Sequence, residues 1–385
     1  MIKLLDTSLR EGEQTPGVYF DPHIKLIIAE LLSEIGIDII EAGHPVVSAN
    51  IKNSVKDISN HKLIKSTVGA HARSLEKDID AALDCGVGFI GIFYCVSDER
   101  LNSVFKSELS KSIDQITKSI EYAKSLNPSL LIRYTPEDTV RSNFENVVNV
   151  SVEAVRAGAD IISIADTTGY MVPRTDRNYY DYILRLRDRF SKDGVNPQIA
   201  VHCHNDRGFA LANVNDAIAA GAEIIDVTTL GLGERAGIAD LAQTVSLIIN
   251  DLSIEKRLNL SKIVELYHIV AKYSGVNIPV NFPIVGENAF THCAGVHTHA
   301  AAIDPVHYQS LDPVIFNRKM NVALDHMSGI SSVKYSLEQI DINESDKDIL
   351  RDILVYVKSI GEKGRIVDLN ELKHIYNLVL TQKVK

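Results

Sequence analysis

The chain has 385 residues, of which 45% are hydrophobic and 23% charged, and its formal net charge is −10. This acidic balance argues against nucleic acid or an anionic membrane surface as the main partner. No apolar run approaches the ~20 residues that a membrane-spanning helix needs, and charge comes too early for a secretory signal. Four cysteines without CxxC spacing indicate reduced thiols in a cytoplasmic protein.

Short β-branched apolar runs alternate with segments of helical periodicity through most of the chain. The predicted strands are IKLLDTSL from Ile2, IDIIEAG from Ile37, KSTVGAH ending at His71, FIGIFYCV from Phe89, LLIRYTPED from Leu130, DIISIADTTG from Asp160, QIAVHCHND from Gln198 and EIIDVTTLG from Glu223. The first predicted helix has Asp21 as its N-cap, Pro22 in its first turn and Gly36 at its end.

Apolar strands separated by helices predict a parallel sheet that is buried on both faces. Eight such units predict a closed (β/α)8 TIM barrel over residues 1–275. An open doubly wound sheet is the alternative, but no glycine-rich phosphate loop follows the first strand. Residues 276–331 are predicted to form a loop-rich connector, and residues 332–385 a small helical C-terminal subdomain.

The C-terminal ends of the predicted strands carry polar residues, and TIM barrels place their catalytic groups at these ends. The residues are Asp6, Arg10, Glu11, Glu41, His44, His71, Arg133, Thr135, Glu137, Asp166, Thr167, His202, His204, Glu234 and Arg235. Charge that served only solubility would also populate the opposite ends, which are mostly apolar or helical. We therefore interpret this end of the barrel as a functional site.

His202 and His204 stand two positions apart on a predicted strand, so both side chains point to the same face. Two imidazoles at this separation can share one divalent ion. Glu11 is the best-placed carboxylate, because the barrel closes strand one against strand eight, near strand seven. Mixed nitrogen and oxygen ligands suit zinc, manganese, iron, cobalt or, less tightly, magnesium. The alternative is an ordinary strand end that holds two imidazoles.

A metal with open positions beside Arg10 is suited to a chelating 2-oxo acid, whose carbonyl the ion would polarise. A second, distal carboxylate of such an acid has suitable partners in His71, Arg133 and Thr135. The hydroxyl of Thr167 is available for the carboxylate beside the metal. Two alternatives stay open: Thr135 as a plain strand end, and Arg133 as an ion-pair partner of Glu137.

Three motifs resemble those of the homocitrate and isopropylmalate synthase family: LREGEQTPGVYFDPHIK, VHCHNDRGFALAN and GLGERAG. The segments EAGHPVVS, RYTPEDTVRS, SIADTTG and GENAFTHCAGVH are most similar to the homocitrate synthases of archaeal and thermophile lysine biosynthesis. The resemblance implies a metal-dependent TIM-barrel acyltransferase that condenses acetyl-CoA with 2-oxoglutarate and hydrolyses the thioester. It also implies Glu11, His202 and His204 as metal ligands, and Arg10, His71, Arg133, Thr135 and Thr167 as contacts of the 2-oxo acid.

The catalytic histidine of this family matches His297 in CAGVHTHAAA, with Glu137 as its expected partner and Arg10 beside the developing alkoxide. In the family, the connector reaches over the barrel of a neighbouring subunit, which implies a homodimer with shared sites. His292 and His299 are competing candidates. In an extended connector, alternation would place His297 and His299 on one face, so their chemistry alone does not separate them.

Related activities are the alternatives. An isopropylmalate, citramalate or other 2-oxo acid synthase would share every metal residue and differ around the distal carboxylate. A carbon–carbon lyase of the same barrel family usually needs a catalytic cysteine in a glycine-rich loop after strand eight. No cysteine occurs between Cys203 and Cys293, which argues against the lyase.

Overall fold

The structure is a computed structural model that describes residues 2–106, 108–252, 254, 258–304 and 307–383. The chain divides into two compact units, residues 1–278 and residues 279–385. The strands of the first unit are β1 (Lys3–Asp6), β2 (Ile39–Glu41), β3 (Thr67–Arg73), β4 (Phe89–Cys95), β5 (Leu131–Glu137), β6 (Ile161–Asp166), β7 (Gln198–Cys203) and β8 (Ile224–Val227). Its helices are α1 (Pro22–Ile35), α2 (Ala49–Ser59), α3 (Glu76–Leu83), α4 (Asp98–Arg100), α5 (Leu109–Leu126), α6 (Phe144–Arg156), α7 (Tyr179–Lys192), α8 (Ala210–Ala219), α9 (Leu241–Ser246) and α10 (Ile263–Ser274).

The strands β1 to β8 form one closed barrel in chain order. All neighbouring strands are parallel, and β1 closes the barrel against β8, with Leu5 opposite Asp226. The predicted TIM barrel is therefore confirmed, and the open doubly wound sheet is wrong. Parallel closure brings the C-terminal ends of all the strands to one mouth, which is the property that positions the site.

Local sequence signals explain how α1 begins and ends. The Asp21 carboxylate accepts hydrogen bonds from the backbone N–H groups of His23 and Ile24, and Pro22 occupies the first turn. Gly36 ends the helix in the left-handed conformation with φ 97°, which glycine adopts without a steric penalty. These capping predictions are confirmed.

The interior of the barrel below the mouth is a layer of buried side chains, each from a different strand. The layer consists of Leu5, Ile39, Phe89, Ile161, Ala200 and Ile224. Most strands end earlier than the predicted runs, and β8 for example stops at Val227, whereas β3 continues past His71 to Arg73. After Val227 the backbone N–H of Thr228 donates to the carbonyl of Ala239 at 3.1 Å, and the Thr228 hydroxyl donates to the carbonyl of Leu232 at 2.6 Å.

The second unit contains β9 (Thr291–His292), α11 (Gly295–Ile303), β10 (Asn321–Val322), α12 (Ile330–Glu338), α13 (Lys347–Gly361) and α14 (Leu369–Lys383). The predicted helical C-terminal region is present, and its apolar core joins α12, α13 and α14. The short parallel pair of β9 and β10 and the helix α11 were not predicted. In the described part of the chain, no helix is both long and apolar enough to cross a membrane.

The helix α11 corrects one expectation about the histidines. His297 and His299 lie two positions apart on an α-helix, which separates their directions by about 200°. The expectation that they share a face, which assumed an extended chain, is therefore wrong. The prolines and glycines nearby had indicated a loop, although the run AGVHTHAAA itself has no helix breaker after Gly295.

Candidate active site

The mouth of the barrel contains a cavity of about 340 Å³. The predicted site residues that line it are Arg10, Glu11, His71, Arg133, Thr135, Glu137, Thr167, His202 and His204. The predicted metal ligands, the predicted contacts of the 2-oxo acid and Glu137 therefore line one cavity, whereas the strand-end residues Asp6, Glu41, Asp166 and Arg235 do not line it. The remaining predicted catalytic residue, His297, belongs to the second compact unit.

Glu11, His202 and His204 form a candidate metal centre. One possible ligand atom from each side chain lies within 4.8 Å of the other two, and all three residues are buried. The imidazole rings of the two histidines are 5.0 Å apart between centroids. Two nitrogen ligands and one carboxylate that leave open positions suit a catalytic divalent ion.

The hydrogen bonds around these side chains fit metal binding. The His202 Nδ1 lies 2.9 Å from the Asp226 Oδ2, which leaves Nε2 available for an ion. The His204 Nδ1 is buried and has no hydrogen-bond partner among the described residues. Such an orphaned buried nitrogen is costly unless a further ligand satisfies it.

The charge states of the candidate ligands are also those that a cation requires. Burial alone would raise the pKa of Glu11, but the charges of Arg10 and His202 outweigh it and hold that pKa at about 2. Burial, with His202 alongside, lowers the pKa of His204 to about 4. Near neutral pH the carboxylate is therefore ionised and the His204 imidazole is neutral.

Arg133 is almost fully buried and is held by two carboxylates. Its Nη1 donates to both carboxylate oxygens of Asp226 at 2.9 Å, and its Nη2 donates to the Glu41 Oε1 at 3.2 Å. Glu137 instead pairs with Arg100 at 2.5 Å. The alternative in which Arg133 pairs with Glu137 is therefore wrong.

Glu41 connects the two arginines of the site and one histidine. Its Oε2 accepts from the Arg10 Nε at 2.6 Å, and its Oε1 lies 3.2 Å from the His71 Nδ1. Gly91 makes room for this network, because a Cβ at that position would lie 3.0 Å from the Glu41 Oε1. Burial would raise the pKa of Glu41, but Arg10 and His71 hold it well below its ordinary value.

The other predicted contacts of the 2-oxo acid have defined surroundings. The His71 ring stacks on Phe93 at 4.5 Å, and burial together with the Arg10 charge lowers its pKa to about 4. The Thr167 Oγ1 accepts a hydrogen bond from the backbone N–H of Asp138 at 3.0 Å. The hydroxyl hydrogen of Thr167 is therefore still available to a ligand.

The three histidines of the second unit have different neighbours. His297 packs on Tyr308 with ring centroids 4.2 Å apart, and His292 lies 6.4 Å from the same ring. The His299 Nδ1 lies 3.3 Å from the Ser331 hydroxyl oxygen. Tyr308 is thus a ring neighbour of His297.

Sequence reasoning missed the roles of Asp226 and Glu41. Asp226 stands in the middle of the apolar run EIIDVTT, and a lone acid in a buried strand requires a cationic or hydrogen-bonding partner. That signal was available. Its partners, Arg133 and His202, lie on other strands, so only the barrel register could identify them.

The fold and the site define a (β/α)8-barrel protein with a candidate metal centre at the C-terminal ends of its strands. The profile of the HMGL-like family matches residues 1–270, and a profile described as homocitrate synthase post-HMGL domain-like matches residues 284–365. The chain therefore belongs to the HMGL-like family.

Curated relatives span nearly the whole chain. The chain is 40% identical over 359 residues to a homocitrate synthase of Pyrococcus horikoshii, covering 93% of this chain and 95% of the relative. It is 38% identical over 364 residues to a homocitrate synthase of Saccharolobus islandicus, covering 93% of this chain and 77% of the relative.

Solved structures with the same barrel include two HMG-CoA lyases. The Bacillus subtilis enzyme has a TM-score of 0.61 at 20% identity, covering 72% of this chain and 95% of its own. The Pseudomonas aeruginosa enzyme has a TM-score of 0.60 at 20% identity, covering 72% of this chain and 94% of its own. At this identity the likeness concerns the fold.

Proposed function

We propose that this protein is an acyltransferase that condenses acetyl-CoA with 2-oxoglutarate and hydrolyses the thioester to give homocitrate and CoA. The observation that carries the proposal is 38–40% identity over 93% of the chain with proteins named homocitrate synthase. The triad of Glu11, His202 and His204 in the same cavity as Arg10 supports this chemistry.

The triad would hold a divalent ion such as Mg²⁺, Mn²⁺ or Zn²⁺, which when bound would polarise the keto group of the 2-oxo acid. Arg10 contacts Glu11 and Glu41, so its guanidinium is fixed beside the ligand that would carry the ion. From there it stabilises the negative charge that develops on the keto oxygen. Thr167 donates its free hydroxyl hydrogen to the carboxylate of the 2-oxo acid that lies next to the keto group.

We assign the distal carboxylate of 2-oxoglutarate to His71, Arg133 and Thr135, which line the same cavity. A guanidinium binds a carboxylate well, and Arg133 has a buried Nε with no partner among the described residues. An acceptor with an apolar end would leave these buried polar groups unsatisfied. This difference supports a dicarboxylic acceptor over the acceptors of isopropylmalate and citramalate synthases.

We assign proton transfer to His297, with Glu137 as its partner. The imidazole removes a proton from the methyl group of acetyl-CoA, and the resulting carbon forms the new bond to the keto carbon of the acceptor. The alkoxide then takes up a proton, and water cleaves the thioester to release CoA. A histidine is suited to moving protons near neutral pH.

We further propose that the protein is a homodimer in which the connector, residues 276–331, reaches the barrel of the partner, while residues 332–385 form the helical subdomain. A cytoplasmic location and a place in lysine biosynthesis follow from the proposed activity. All four cysteines are free, which supports a reducing compartment.

The test is detection of free CoA thiol from acetyl-CoA with a panel of 2-oxo acids and a divalent ion, with product mass as confirmation. The proposal predicts turnover with 2-oxoglutarate, preferred over pyruvate and 2-oxoisovalerate. His297→Ala should abolish turnover and still bind 2-oxoglutarate. Thiol release with a monocarboxylic acceptor alone, or cleavage of a hydroxyacyl-CoA without condensation, would contradict the proposal.

A further inference from the structure

His44 lies just after β2 and lines the same cavity as His71 and Arg133. The preceding Gly43 determines its path, because a Cβ at that glycine would lie 2.9 Å from the Ile51 Cγ2 of α2. The backbone therefore passes close to α2 before His44 turns into the cavity. The chemistry assigned above gives His44 no role.

One ring nitrogen of His44 is held by a buried carboxylate. The His44 Nε2 lies 3.1 Å from the Asp78 Oδ2, and Arg73 binds the same carboxylate through Nε at 2.8 Å and Nη2 at 2.9 Å. Burial would raise the pKa of Asp78, but hydrogen bonds from Arg73 and His44 lower it. Because Asp78 is ionised and can only accept, the Nε2 of His44 carries a proton.

The other ring nitrogen, Nδ1, has no hydrogen bond to any group in the described part of the chain. The His44 ring packs edge-on against the His71 ring, with centroids 5.7 Å apart and an interplanar angle of 85°. His71 is arranged in the same way, with Nδ1 beside Glu41 and its other nitrogen available. The cavity thus holds two adjacent imidazoles, each anchored to a carboxylate through one nitrogen.

Arg133 differs from these histidines, since Asp226 and Glu41 already neutralise its guanidinium. The distal carboxylate of an acceptor would therefore need further positive charge in the cavity. Burial and the charge of Arg10 lower the pKa of His71 to about 4, so His44 is the imidazole that can supply this charge by taking up a proton.

We propose that His44 is a specificity-determining residue that binds the distal carboxylate of the acceptor together with His71. This inference rests on the proposed function, whose distal contacts did not include His44. A carboxylate only accepts hydrogen bonds, so His44 must take up a proton and bridge Asp78 and the substrate as an imidazolium. The charged or titratable groups that face His44 are Asp78 from α3, with Arg73 behind it, and His71 from β3. An acceptor with an apolar end provides no distal carboxylate and gains nothing from His44.

The kinetic test compares His44→Phe with the wild type, using thiol release with 2-oxoglutarate and with 2-oxoisovalerate. Phenylalanine keeps a planar ring beside His71 and lacks both nitrogens. Loss of a charge-assisted hydrogen bond predicts a KM for 2-oxoglutarate about 10- to 100-fold higher. The KM for acetyl-CoA and kcat/KM for 2-oxoisovalerate should stay within about twofold. His23→Phe, at an exposed histidine of α1, is the matched control.

A binding measurement provides a readout that a merely structural role would not change. Titration calorimetry near pH 8, in two buffers with different ionisation enthalpies, measures the protons taken up with 2-oxoglutarate. The wild type should take up about one proton more than His44→Phe, and both should behave alike with 2-oxobutanoate. Should His44→Phe not fold, His44→Gln serves in both measurements.

An unchanged KM for 2-oxoglutarate, equal losses with both acceptors, or equal proton uptake would overturn the role of His44 alone. Wild-type turnover limited to monocarboxylic acceptors would refute the proposed function instead. In that case, binding of glutarate, a dicarboxylate without the keto group, decides whether His44 still binds a carboxylate. Equal affinity of the wild type and His44→Phe for glutarate would then exclude His44 as a carboxylate ligand.

Discussion

Asp226 is the residue whose replacement tests the reasoning about the site most sharply. It accepts from the His202 Nδ1 at 2.9 Å and from the Arg133 Nη1 at 2.9 Å, and it is 1% exposed. Asp226→Asn keeps the shape of the side chain, removes its charge and replaces one acceptor by a donor. Two different properties should therefore change: metal affinity through His202 and folding stability through Arg133.

The magnitudes follow from these two contacts. Loss of a partner that orients a metal-binding histidine typically costs about 10- to 100-fold in metal affinity. Breaking a buried ion pair by neutralising one partner costs about 3–5 kcal/mol. Glu41 remains as a second partner of Arg133, so we expect the lower end, about 3 kcal/mol.

The assay is competition of the purified protein with a fluorescent chelator for Zn²⁺ or Mn²⁺, followed by urea unfolding without metal. Glu41→Gln is the control, since it also removes a carboxylate partner of Arg133 and does not touch His202. The control should lose folding stability with a smaller loss of metal affinity than Asp226→Asn. Metal affinity of Asp226→Asn within about twofold of the wild type would refute the orientation of His202 by Asp226.

Three further predictions concern stability and the network around the site. Lys25 is 1% exposed, and its Nζ forms an ion pair with the Glu13 Oε2 at 2.6 Å. Lys25→Met should therefore lower the free energy of unfolding by about 3 kcal/mol in urea titrations, and an unchanged unfolding midpoint would contradict this. Burial raises the pKa of Asp6 to about 7, above its unfolded value, so its contribution to stability is present at low pH and lost as pH rises through about 7. Asp6→Asn should therefore gain unfolding free energy relative to the wild type between pH 5 and pH 8, and a pH-independent difference would argue against a protonated Asp6. Gly91→Ala should raise the KM for the 2-oxo acid several-fold, because its Cβ would crowd the Glu41 Oε1 at 3.0 Å; wild-type kinetics would show that the network can shift.

The barrel could be predicted because its signals are local. Apolar β-branched runs, helical periodicity, and the cap of α1 at Asp21 and Gly36 each follow from neighbouring residues. The polar strand ends then followed from the general rule that parallel closure collects them at one mouth. The pair His202 and His204 needed only the two-residue period of a strand.

The side-chain contacts that could not be predicted depend on the register between strands that lie far apart in the sequence. The contacts of Asp226 with Arg133, and of Glu41 with His71, join residues 93 and 30 positions apart. No local pattern specifies such pairs. The helix α11 was missed for a different reason, since glycine and proline on both sides of HTHAAA suggested a loop more strongly than the alanines suggested a helix.

A crystal structure with anomalous diffraction at a metal absorption edge would decide whether Glu11, His202 and His204 together hold a single divalent ion. We expect one peak at about 2.0–2.2 Å from a nitrogen of each histidine and from an oxygen of Glu11. The peak should disappear in His204→Ala protein. A metal peak elsewhere at the barrel mouth, or one that persists in His204→Ala, would refute this metal centre.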